Sequence, residues 1–298
     1  MKFNKLKTYN FFFSLIIFLV SITISSGQQN IDISPARLGP NALPIPELRM
    51  GGVNNHILLR TAYESQTSEG DKTHNAYLQL DVPIIKDRVG FRMFVVPYER
   101  FKLSQEVKEE RNIKEDGLKG TAGGDIYIET QIQILKDKVY LPDVLLNIGI
   151  KTASGTNLEF ARYTDSPGYL FDLSLGKTIL KKNKSLIKLY AQTGLFVFQT
   201  NRTTVYRQND AFSYGVGMQY QVNKWIFNNE LAGYRGYINN GDRYNAFRTT
   251  IRTNFNGLIN FEGRFQQGIA YNDYTSFRIG LIFNLDDIKN WFIKNAGE

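Results

Sequence analysis

Between residues 55 and 285 the chain repeats one pattern: about ten residues of apolar and polar alternation, then a turn. Residues 212–222 show it plainly. Phe212, Tyr214, Val216, Met218, Tyr220 and Val222 alternate with Ser213, Gly215, Gly217, Gln219 and Gln221. Successive side chains of a strand point to opposite faces, so this segment has one apolar face and one polar face. The same reading predicts twelve strands, over 56–66, 75–85, 89–101, 125–135, 143–153, 169–180, 186–199, 211–222, 225–237, 244–254, 258–269 and 274–285. Their connections alternate in length. Short ones fall at 86–88, 181–185, 223–224 and 256–257, and long ones at 67–74, 102–124, 154–168 and 201–210. Two further outer loops, 239–243 and 271–273, are short. An even strand number with short periplasmic turns and longer outer loops is the rule for membrane barrels. The pattern therefore predicts an all-β fold: a twelve-stranded antiparallel transmembrane β-barrel with periplasmic N- and C-termini, in the bacterial outer membrane.

The charged face of each strand must point inward, because an isolated charge facing lipid at mid-bilayer costs ~2–4 kcal/mol. That assignment lines the lumen with Arg60, Lys151, Lys188, Arg248, Arg252, Arg264 and Arg278. Facing them are Glu64, Asp81, Glu129, Asp172, Glu230 and Glu262. Arg92 stays ambiguous, since both faces of its strand are apolar. Two arrangements follow. The charges pair across a narrow interior, or the arginines of the last three strands line an anion-leaning path. Tyr169, Phe171, Tyr220, Trp225, Phe227, Tyr237, Phe247, Phe255 and Phe283 fall near strand ends on the outward face, where amphipathic rings settle at headgroup level.

The ends differ from the middle. Lys2, Lys5 and Lys7, an apolar run over 11–24 and the small residues Ser25, Ser26 and Gly27 have the layout of a secretory signal peptide, assigned to 1–27. Residues 28–54 do not alternate and hold Pro35, Pro40, Pro44 and Pro46, half of the chain's 8 prolines. Proline excludes this stretch from helix interiors and central strands. Its leucines and isoleucines leave two readings, a leader lying on the rim or a plug within the barrel mouth. The remainder, 286–298, is expected to be a periplasmic tail, either a short interfacial helix with Ile288, Trp291 and Phe292 on one face or a frayed end.

Composition narrows the chemistry. The net charge of +8 falls to +5 without Lys2, Lys5 and Lys7, and the remaining Lys and Arg interleave with Asp and Glu. Anionic headgroups or solutes suit this better than nucleic acid, for which no motif is present. The expected partners are outer-membrane lipids, the outer-membrane assembly machinery and a small solute. There is no cysteine, which excludes a lipidated Cys anchor and disulfides. No cofactor and no metal-ligand spacing is evident. Catalysis would have to use one of only 2 histidines. His74 near Asp71 offers an Asp–His pair at the outer rim that would activate water in a barrel hydrolase.

The strand pattern, loop alternation and aromatic girdle resemble the broad class of Gram-negative outer-membrane β-barrels. Residues 151–155 (Lys-Thr-Ala-Ser-Gly), 165–169 (Asp-Ser-Pro-Gly-Tyr) and 173–177 (Leu-Ser-Leu-Gly-Lys) resemble strand–loop–strand segments of porin-like barrels related to phenol-degradation transporters. The expected role is a narrow channel or transporter for small anionic or aromatic solutes, because twelve strands enclose a narrower lumen than that of wide porins, and the lack of a catalytic constellation argues against enzyme activity. The alternatives are a structural or partner-binding subunit of an envelope complex, and the barrel hydrolase.

Overall fold

The structure is a computed structural model that describes residues 31–136, 139–200, 208–255, 257–271 and 273–286. The export segment expected at 1–27 and the tail expected after Asp286 lie outside the described residues. Alternation does produce strands: β1 (Leu58–Ser68), β2 (Asp71–Ile85), β3 (Val89–Leu103), β4 (Lys119–Ala122), β5 (Tyr127–Leu135), β6 (Asp143–Lys151) and β7 (Gly168–Lys182). They continue as β8 (Ser185–Gln199), β9 (Gln208–Val222), β10 (Trp225–Arg235), β11 (Arg243–Thr253), β12 (Ile259–Ala270) and β13 (Thr275–Asn284). Each pairs antiparallel with its chain neighbour, and β1 pairs with β13, so the ladder closes on itself. Strand β4 is not an extra stave. It pairs with residues 99–102 of β3, while β5 pairs with 89–94 of the same strand, so β4 and β5 share one stave of a twelve-stave barrel. Closure removes the unpaired edges that lipid would leave unsatisfied.

Burial is the inverse of a soluble protein's. Leu173, Leu231, Phe261, Phe277 and Ile279 are exposed, whereas Glu64, Asp81, Glu129, Lys151 and Arg248 are buried. The exposed face is the lipid face. The girdle candidates Tyr169, Phe171, Tyr220, Trp225, Tyr237 and Phe255 are among the exposed aromatics; Phe227, Phe247 and Phe283 are half-buried. No helix among the described residues is long and apolar enough to cross a membrane. Leu173→Arg would place a charge on the lipid face of β7, and is expected to cost ~2–4 kcal/mol and impair insertion. The neighbouring inward Ser174→Ala should assemble normally. The heat-induced mobility shift of the membrane-extracted protein on gels measures both.

Two connections differ from the sequence-based expectation. The long loop expected at 67–74 is a two-residue turn, because Gly70 adopts φ +75° and the ladder continues to Ser68 opposite Asp71. The long connection expected at 102–124 is mostly exposed but carries a short helix. Its helix α1 (Gln105–Glu110) is capped by Ser104, whose hydroxyl accepts from the Val107 N–H at 3.3 Å. Val107 and Ile113 are buried beneath it.

The first and last described residues do not lie at the same end of the barrel. Strand β1 starts and β13 ends at the turn end of the barrel, where Leu58 lies opposite Asn284. Residues 31–53, however, run through the lumen from the other end. Ala36 packs on Gly241 and Gly39 bonds to Ala161, both in loop-end connections. Gly51 lies against Asp143, and Asn55 bonds to Asp87 at the turn end. The first described residues therefore stand at the loop mouth, a full barrel length from where β1 begins.

Candidate functional site: the occupied lumen

Residues 31–53 cannot form a ladder with the barrel, because prolines interrupt their N–H groups. They are held by side chains from the wall instead. The Tyr244 hydroxyl donates to the carbonyl of Pro35 at 2.5 Å, and the Tyr234 hydroxyl to that of Leu43 at 2.9 Å. Arg248 donates to the carbonyls of Ile45 at 2.7 Å and Pro46 at 3.0 Å. Gln133 donates to the Gly51 carbonyl at 2.7 Å and accepts from the Val53 N–H at 3.0 Å. Ile33, Leu38, Leu43, Ile45 and Leu48 are buried. They pack with wall aromatics that include Phe196, Phe198 and Tyr234. Glycines make room: a Cβ on Gly215 would stand 2.5 Å from Leu48 Cδ2, and one on Gly176 would overlap the Met50 carbonyl at 2.0 Å.

The charged candidates fall inside, and nearly all are engaged. Arg264 pairs with Glu47 of the segment at 2.8 Å, and Arg278 with Glu64 at 2.8 Å while covering the Tyr77 ring. Arg60 reaches Glu262 at 3.6 Å, and Lys188 reaches Asp143 at 2.8 Å. Lys151 pairs with Asp125 at 2.8 Å. Glu129 pairs with Arg49, also of the segment, and Asp81 with Arg92. Asp172 accepts from the Ser213 hydroxyl at 2.9 Å, and Glu230 from the Tyr190 hydroxyl at 2.8 Å. Arg252 makes none of these pairs, and its Nε is buried without a partner among the described residues.

Sequence reading missed a second cluster at the loop mouth. Arg162, fully buried, donates to Asp71 at 2.7 Å, Glu99 at 2.6 Å and Thr73 at 2.8 Å, and lies over the Phe101 ring. Arg111 joins Asp71 at 2.8 Å, and the Tyr274 hydroxyl donates to the same carboxylate at 2.6 Å. Burial pushes the Tyr274 phenol up to about 12, so it stays a donor at neutral pH. The Asn41 amide of the segment donates to Glu99 at 2.6 Å, which ties the segment to this cluster. At the turn end, hydrogen bonds from Lys136 and Asn55 hold the Asp87 carboxyl below its usual range.

The Asp71–His74 pair does not form. Three positions apart on β2, the two side chains leave opposite faces. Asp71 is buried in the cluster, while exposed His74 shares a hydrogen bond of 2.7 Å with the Tyr63 hydroxyl on the outside. His56 is also exposed and meets Asp286 at 2.8 Å on the rim.

The cavities flanking the segment are small. One of about 60 Å³ is bounded by Pro44, Glu47, Tyr77, Tyr127, Glu129 and Arg278. Another of about 50 Å³ lies beside Glu47, Arg248, Arg264 and Gln266. Each has room for only a few waters.

No protein-family model matches the sequence, and no curated protein matches it. In structure the chain is similar to a crystal structure of an outer-membrane channel from Pseudomonas putida F1, at 12% identity and a TM-score of 0.51, over 88% of this chain and 98% of that one. It is also similar to the NanC porin, at 11% identity and a TM-score of 0.51, over 76% of this chain and 98% of that one. These likenesses are of fold: the chain is a porin-like barrel of the outer-membrane type.

Proposed function

We propose that this protein is an outer-membrane channel for small solutes that its own N-terminal segment closes. The observation that carries the reading is the segment at 31–53, gripped along its length by side chains and not by strand pairing. A ladder-bonded segment would be part of the wall. One held by side-chain hydrogen bonds, two ion pairs and the packing of its apolar side chains can leave without breaking a strand ladder. The barrel ladder closes without it, so its departure leaves the wall intact. The export segment at 1–27 fits delivery of such a barrel, and we propose that the short turns face the periplasm.

Planar-bilayer recording tests this. The intact chain is expected to be mostly silent with brief openings. Arg248→Ala removes two hydrogen bonds to the segment's carbonyls and should raise the open fraction on the order of tenfold, as about 1.4 kcal/mol lost from the closed state would. Silence in both, with no solute uptake into liposomes, would favour the structural or partner-binding reading.

A further inference from the structure

The charges of the segment are distributed across the lumen. Glu47 faces β11–β13, where Arg248, Arg264 and Arg278 converge around it. Arg49, two residues on, faces the stave of β5, where it pairs with Glu129. Both ends of that pair are buried, and Asp172 on β7, also buried, accepts from Ser213 and meets no cation within ion-pair reach among the described residues. The lumen face of the wall formed by β1 and β10–β13 carries Arg60, Arg248, Arg252, Arg264 and Arg278 against Glu64, Glu230 and Glu262. It therefore has two more positive than negative charges before Glu47 is added. The Nε atoms of Arg264 and Arg278 are buried and donate to nothing among the described residues. One cavity touches both sides, bounded by Glu47 and Arg278 on one and by Glu129 on the other.

We propose that the lumen carries two facing subsites, a carboxylate site of Arg248, Arg264 and Arg278 and a cation site at Glu129. Glu47 and Arg49 fill them as tethered occupants. The solute that replaces them carries both a carboxylate and an ammonium or guanidinium group. Arginine forks suit a carboxylate, and a buried carboxylate such as Glu129 demands a cation. A solute with only one of the two charges would leave the opposite wall uncompensated, which disfavours its entry. The solute class rests on the channel reading; the two subsites do not.

Chemical rescue in the full-length chain tests the subsites. Glu47→Ala deletes the equivalent of acetate, and Arg49→Ala deletes the equivalent of ethylguanidinium. Each variant should unfold at a lower temperature than the parent. Millimolar acetate is expected to raise the midpoint of Glu47→Ala by about 2–4 °C and leave Arg49→Ala unchanged. Ethylguanidinium is expected to do the reverse. The double variant should respond most to 4-guanidinobutyrate, which carries both groups. Lost packing alone would not produce this crossed pattern. Equal response of both single variants to either ion, or no response, would overturn the proposal. Crossed rescue with silent bilayers would retain the subsites and remove the channel. Open channels without crossed rescue would do the opposite.

Discussion

Deleting residues 32–53 is expected to convert a mostly closed barrel into a steadily conducting one. The segment contributes no strand to the ring, whose ladder runs unbroken from β1 through β13 and back. Its removal therefore withdraws lumen contents and leaves the wall. Five apolar side chains, Ile33, Leu38, Leu43, Ile45 and Leu48, leave with it, each worth about 1.5–3 kcal/mol of burial. The thermal midpoint should fall while the barrel still assembles. What remains is a polar lumen whose arginines and carboxylates hydrate readily, which favours a water-filled path. Single-channel conductance should rise on the order of tenfold or more in time-averaged current. An assembled deletion variant that stays silent would show that the wall charges alone seal the barrel. If the deletion lowers assembly, Arg248→Ala retains the segment and reports on the same closure.

Alternation made the barrel legible. Wherever one face meets lipid and the other a packed interior, the pattern has period two, and the twelve staves fall where that period does. It failed where the period breaks. Strand β3 reads as apolar on both faces because its register slips between Val95 and Tyr98, around Pro97. Arg92 and Phe94 face inward before the slip, and Glu99, Phe101 and Leu103 after it, so inward parity changes from even to odd. Proline lacks the N–H that a regular ladder position would need, and that was the available signal for a bulge. Asp71 and Thr73 were within reach of sequence reasoning, since they continue the inward row of Asn75, Gln79 and Asp81 by two further steps. The partners they meet were not. Arg111 and Arg162 come from connections 40 and 91 residues away, and no local period encodes such contacts. The course of residues 31–53 was hidden for the same reason. Its prolines state what the segment cannot be, and only the closed wall states where its isoleucines and leucines are buried.

Loss of Arg162 is expected to be the most damaging single change at the loop mouth. The guanidinium sits between Asp71 and Glu99, both buried, donates also to Thr73 and rests on the Phe101 ring. It also backs the segment: a Cβ on Gly39 would stand 2.5 Å from its central carbon. Arg162→Met keeps most of the volume and removes the charge. Asp71 would retain Arg111 and Tyr274, but Glu99 would keep only neutral donors, Tyr163 and Asn41. Breaking a buried pair in this way costs about 3–5 kcal/mol, because the abandoned carboxylate stays in a low-dielectric site. Water entering to hydrate it would separate Ala161 from Gly39 and loosen the first turn of the segment. Arg162→Met should thus show a lower unfolding midpoint and faster proteolysis near residue 39 from the loop side. Arg162→Lys should fall between it and the parent, since one ammonium lacks the planar fork that serves both carboxylates. Adding Glu99→Gln to Arg162→Met should recover much of the midpoint, because the uncompensated charge is then gone. A double variant no more stable than Arg162→Met would mean that packing over Phe101, and not charge, closes the mouth.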